Sequence, residues 1–89
     1  MAAEVVLYTT AWCPFCVRAL RLLDSKGVEY TNIDVEENPA LRKEMAARAG
    51  RNTVPQIWIG GTHVGGCDEL YALERAGRLD AMLDSGQQQ

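Results

Sequence analysis

Apolar positions along the chain switch between two spacings, and the switches mark the elements. Residues 4–9 hold Val5, Val6 and Leu7 in an unbroken apolar run with β-branched and aromatic neighbours. That is the pattern of a central strand covered on both faces. From Pro14 the spacing becomes helical. Cys16, Val17, Leu20 and Leu23 share one side, with Ala19 one position off, while Arg18, Arg21 and Asp24 lie on the others. Proline suits the first helical position because its missing N–H would have no partner there, and Gly27 supplies the left-handed stop. Residues 28–35 predict a second strand. Asn38-Pro39 repeats the cap-then-proline start before a helix carrying Leu41 and Met45, and Gly50 ends it. Residues 56–59 and 62–64 predict short strands around Gly60-Gly61, a two-residue hairpin turn. Residues 67–76 form a helix with Leu70 and Leu73 on one face, Gly77 interrupts, and Leu79, Met82 and Leu83 belong to a last short helix. Residues 85–89 read as a frayed tail. The order βαβαββα predicts an α/β fold in which a right-handed helical crossover joins a parallel strand pair and the hairpin extends the sheet.

Composition narrows the class. At 89 residues and 47% hydrophobic, the chain fits one domain over residues 1–89, with its core in about 4–83, and no repeats or linkers. Three cysteines are an odd number, two lie three positions apart, and the apolar content suffices without staples, which argues against a secreted disulfide scaffold. The first ten residues lack a basic stretch followed by an apolar one, and no run approaches the ~18 residues of a membrane span. A cytoplasmic protein without membrane attachment is expected. Nine Lys and Arg against twelve Asp and Glu give a net charge of -3 with no basic run, so nucleic acid is not an expected partner.

The chemistry concentrates at Cys13-Pro14-Phe15-Cys16, between a strand and a helix N-terminus. Unpaired N–H groups and the positive end of the dipole favour a thiolate on Cys13, whereas Cys16, about one turn further in, is expected to be more buried. Cys13 is then the nucleophile and Cys16 the resolver. The competing reading is a structural zinc site completed by His63 and Cys67. The strand before the motif and the amphipathic helix after it favour redox chemistry.

With this motif, Thr53-Val54-Pro55 and Gly65-Gly66-Cys67-Asp68 in order, the chain resembles a dithiol glutaredoxin of the short bacterial type over roughly residues 4–83. The resemblance implies a thioredoxin-like fold, a four-stranded mixed sheet flanked by helices. It also implies glutathione as co-substrate, a Cys13–Cys16 redox disulfide, and neither a tightly bound cofactor nor a metal. By that likeness Val54, next to a cis bond to Pro55 and preceded by Thr53, pairs with the cysteinyl backbone of glutathione. Gly66, Cys67 and Asp68 take the γ-glutamyl end, and Arg42 the glycine carboxylate. Thr10 stands where many members have lysine, removing a cation, and Phe15 replaces a common tyrosine. Implied partners are glutathionylated or disulfide-containing proteins and, indirectly, glutathione reductase; a monomer is expected.

Each of these residues has an ordinary reading as well. Pro55 can open a strand, Cys67 can be a small buried hydrophobe, Arg42 a solvated helix charge and His63 a solvent-facing hairpin residue. Trp12 and Trp58 are expected to pack, Trp12 also bordering the substrate groove. The rival functions are a thioredoxin without a glutathione site and an iron–sulfur module bridging two chains through Cys13, against which Pro14 speaks.

Overall fold

The unbroken apolar run near the N-terminus is explained by what covers it. In the computed structural model, which describes residues 3–84, strand β1 (Val5–Thr9) sends Val5 and Leu7 into one cluster and Val6 and Tyr8 toward another. The first cluster includes Ala19, Leu23, Ile57, Leu70, Leu79 and Leu83, and the second is built on Val35, Met45 and Trp58. Helices α1 (Pro14–Ser25), α3 (Cys67–Arg75) and α4 (Leu79–Asp84) therefore cover one face, and α2 (Pro39–Ala49) the other.

With β2 (Thr31–Asp34), β3 (Gln56–Ile59) and β4 (Thr62–Gly65), the sheet runs β2-β1-β3-β4. The β1–β2 pair is parallel, aligning Val6 with Thr31 and Thr9 with Asp34, and the β1–β3 and β3–β4 pairs are antiparallel. Gly60 and Gly61 turn the hairpin at φ 58 and 83, the positive values that favour glycine. This is the mixed, helix-flanked α/β sheet that the element order predicted. The expected tail at residues 85–89 lies outside the described residues.

Two local expectations are corrected. The second strand is shorter than 28–35, because continuing its register would set residues 28–30 beside residues 3–5. There the Ala3 N–H bonds to Leu83 O at 2.8 Å instead, tying the chain start to α4. On α1, the buried seam is Cys16, Ala19 and Leu23, and Val17 is 42% exposed. One residue turns a helix by roughly 100°, so the position after Cys16 leaves the seam that Cys16 occupies. Behind α1, Lys26 Nζ bonds Glu74 at 2.7 Å and Asp80 at 2.9 Å, linking its end to α3 and α4.

Candidate active site

Cys13 is the N-cap of α1, with extended backbone at φ -123 and ψ 105 and Pro14 immediately inside the helix. Its Sγ accepts the Cys16 N–H at 3.1 Å, and as a thiol it donates to Val54 O at 3.7 Å. Cys13 is half-buried and Cys16 is 1% exposed, and both are free thiols. Burial, reinforced by the hydrogen bond with Cys13, pushes the Cys16 thiol up to about 12, although a hydrogen bond from the Thr10 backbone opposes the rise. The inner sulfur is therefore kept neutral while the outer one is presented.

A cleft opens beside Cys13. The Val54–Pro55 peptide is cis, as expected, and Thr53, Val54 and Pro55 form one wall. Gly66, Cys67 and Asp68 form the other, with Phe15 at the motif side. The walls meet closely: a Cβ on Gly66 would lie 3.3 Å from Pro55 O, and Gly65, at φ +116, would bring one within 3.0 Å of the Glu69 carboxylate. The positive φ at Gly65 favours glycine, and at Gly66 any side chain would sit tightly against the Pro55 backbone. Glu69 Oε1 accepts the Gly66 N–H at 2.8 Å, and this hydrogen bond, foremost among several causes, lowers the Glu69 carboxyl below its usual range. The Asp68 carboxylate takes part in no hydrogen bond or ion pair among the described residues and is exposed at the cleft. Cys67 is buried, and that burial raises its thiol.

Two residues singled out from sequence do not line the cleft. Thr10 acts through its backbone on Cys16, and Arg42 holds the loop before Thr53, donating from Nε to Asn52 Oδ1 at 3.0 Å and from Nη2 to Asn52 O at 2.8 Å. The cleft's cation is Arg51, which lies 3.8 Å from Glu69. Its position just after the Gly50 helix stop is the one signal in the sequence that points to it. Trp12, expected to pack, is 89% exposed next to Cys13, whereas Trp58 is buried edge-on to Tyr8 with Arg48 over its ring. His63 is exposed but engaged, 2.7 Å from Gln56 Oε1 and stacked against Trp58. Among the described residues, no three His, Cys, Asp or Glu side chains gather as a metal site.

The family model for glutaredoxin matches residues 5–64, which hold β1, both motif cysteines and the Val54–Pro55 turn. The chain belongs to the glutaredoxin family. It is 63% identical over 81 residues to a glutaredoxin of Pseudomonas aeruginosa, covering 91% of this chain and 96% of that one. Among solved structures it is similar to the glutaredoxin of Brucella melitensis, with a TM-score of 0.86 and 54% identity over 96% of this chain and 92% of that one. It is also similar to the glutaredoxin of a buckwheat glutaredoxin–glutathione complex, with a TM-score of 0.85 and 32% identity over 91% of this chain and 76% of that one. The fold is thioredoxin-like, and the enzyme is a thiol–disulfide oxidoreductase. In this glutaredoxin Cys13 presents the more reachable sulfur of the motif, and Cys16 lies buried behind it, its N–H bonded to Cys13 Sγ.

Proposed function

We propose that this glutaredoxin takes glutathione in the cleft between the Val54–Pro55 turn and the Gly65–Asp68 turn, and uses it to reduce protein–glutathione mixed disulfides and selected protein disulfides. One observation carries the reading: the cleft is walled on one side by Val54, whose C=O meets Cys13 Sγ, and on the other by Asp68, whose carboxylate has no partner among the described residues. A zwitterionic peptide with a cysteine at its centre suits that arrangement. Val54 N–H and C=O pair with the cysteinyl residue, Asp68 takes the γ-glutamyl ammonium, and the free N–H groups at the start of α3 take the adjoining carboxylate. Arg51 receives the glycine carboxylate from within the cleft, with Arg42 fixing the neighbouring loop. Phe15 supplies an aromatic edge.

In the reaction, Cys13 thiolate attacks the glutathione sulfur of a mixed disulfide, forming Cys13–S–S–glutathione and releasing the protein thiolate. A second glutathione thiolate then attacks that sulfur, yielding glutathione disulfide and regenerating Cys13. Alternatively Cys16 loses its proton and attacks Cys13, releasing glutathione and closing a Cys13–Cys16 disulfide that two glutathione molecules reopen. Glutathione reductase would act on the product, not on this chain. No helix among the described residues is long and apolar enough to cross a membrane, and a monomer working in the cytoplasm, as one domain, fits this chemistry. The test is reduction of a glutathionylated peptide with either glutathione and its reductase or a thioredoxin-reductase system as electron source. Turnover with glutathione alone is expected; turnover only with the second would replace this reading by a thioredoxin-like one.

A further inference from the structure

Gln56 is wholly buried, at 0% exposure, in the strand next to the active-site turn. A buried primary amide needs partners at both ends, and this one has them. Nε2 donates to Thr53 O at 3.1 Å and lies 3.2 Å from Thr53 Oγ1, while Oε1 lies 2.7 Å from His63 Nε2. With Thr53 O able only to accept, the amide nitrogen must face Thr53 and the amide oxygen must face His63, whose Nε2 is then the donor. His63 is itself placed by stacking on Trp58, its ring centroid 4.7 Å away. The result is a chain of contacts from the hairpin edge, through a buried amide, to the loop that forms one wall of the cleft.

The point where that chain ends decides what it does. Thr53 C=O and Val54 N–H belong to one planar peptide unit, and this peptide is trans, since the cis bond is the following one. In a trans unit the C=O and N–H point in opposite directions. Holding Thr53 O from the sheet side therefore aims Val54 N–H away from the sheet, on the wall where Val54 lines the cleft and Val54 O meets Cys13 Sγ. We propose that Gln56 is a positioning residue that fixes the Thr53–Val54 peptide so that Val54 N–H is presented to glutathione, and that His63 locks the orientation of the Gln56 amide. This rests on Val54 being a glutathione contact, and the experiment separates the two ideas.

Gln56→Met keeps the length and removes the donor. The expected result is a rise in KM for a glutathionylated peptide of about 10-fold, the equivalent of one hydrogen bond, with kcat within about twofold and reduction of a glutathione-free disulfide unchanged. Because a core substitution can simply destabilise, exposed His63 supplies the second arm. His63→Phe, which keeps the ring but not the donor, is expected to raise the same KM about threefold, and His63→Gln, which restores an amide donor, to bring it back. The Val54 amide signal in a nitrogen-15 spectrum is followed as S-methylglutathione is added to wild type and variants. A Val54 signal that does not move in the wild type overturns the glutathione contact, and the positioning role with it. A signal that moves in the wild type, with KM unaltered in both Gln56→Met and His63→Phe, overturns the positioning role alone. Equal losses on both substrates would do the same, since a merely structural residue acts on both.

Discussion

Two neighbouring carboxylates at the start of α3 have different surroundings, and exchanging them one at a time tests whether they do different work. Glu69 accepts the Gly66 N–H at 2.8 Å and so closes the helix end, while Asp68 has no such partner. Asp68→Ala should therefore cost little in folding: an exposed charge near a helix start contributes only ~0.3–1 kcal/mol through the dipole. If Asp68 receives the glutamyl ammonium, a charge-assisted bond of ~1.5–3 kcal/mol is lost, and kcat/KM for a glutathionylated peptide falls roughly 10- to 150-fold. A disulfide lacking glutathione should be reduced as before. Glu69→Ala should invert the pattern, losing ~0.5–2 kcal/mol of cap stability and lowering Tm by ~4–8 °C per kcal/mol. Its effect on the two substrates should be parallel. Asp68→Asn removes the charge with least change of shape and should follow Asp68→Ala. Steady-state kinetics on both substrates, with thermal melts of all variants, decide the matter. Equal loss on both substrates in Asp68→Ala, or a Tm drop matching that of Glu69→Ala with selectivity intact, would refute the division of labour.

Other outcomes follow from the same geometry. Cys13→Ser should abolish all activity, whereas Cys16→Ser should keep deglutathionylation and lose the dithiol route; loss of both in Cys16→Ser would contradict the glutathione-resolved pathway. With its thiol pushed up to about 12, chiefly by burial, Cys16 gains thiolate as pH rises. Burial persists once Cys13 is glutathionylated, so release of glutathione from that species, measured without free glutathione, should climb with pH from 7 to 9, and a rate already level at pH 7 would show an acidic Cys16. The lowered Glu69 carboxyl contributes stability that is present above the ordinary carboxyl value near ~4.3 and lost as pH falls through its folded value. The Tm gap between wild type and Glu69→Ala should accordingly narrow below about pH 4, as followed by thermal melts. Trp12→Ala, at a site 89% exposed, should change stability by no more than ~0.5 kcal/mol yet weaken reduction of a protein disulfide more than that of a small glutathionylated thiol.

What was legible in the sequence was whatever a single residue type enforces locally. Pro14 and Pro39 with Cys13 and Asn38 before them mark both helix starts, Gly50 marks a stop, and Gly60-Gly61 marks the hairpin. The Val5–Leu7 run marks a strand covered on both faces, because such a run has no face left for water. The extent of β2 was not legible, since it depends on where residues 3–5 send their hydrogen bonds, and Ala3 sends its own to α4.

The same distinction holds at the site. Cys13, Cys16, Val54 and Asp68 stand out as candidates because motifs carry them, whereas Arg51, Glu69 and Gln56 become candidates only when distant segments meet. Arg51 lines the cleft from the loop after α2, beside Gly66 and Glu69, whereas Arg42, the cation implied by the resemblance, is occupied by Asn52. Gln56 reads as a polar interruption in an apolar strand, which by pattern alone belongs on a solvent face. The fold buries it, and a buried amide is tolerated only where its partners are supplied; here they come from Thr53 on its own loop and His63 across the hairpin. An amide that costs the core a polar group and ends on the peptide beside the nucleophile is better explained by the orientation of Val54 than by packing, because an apolar side chain of similar volume would fill the same space without needing either partner.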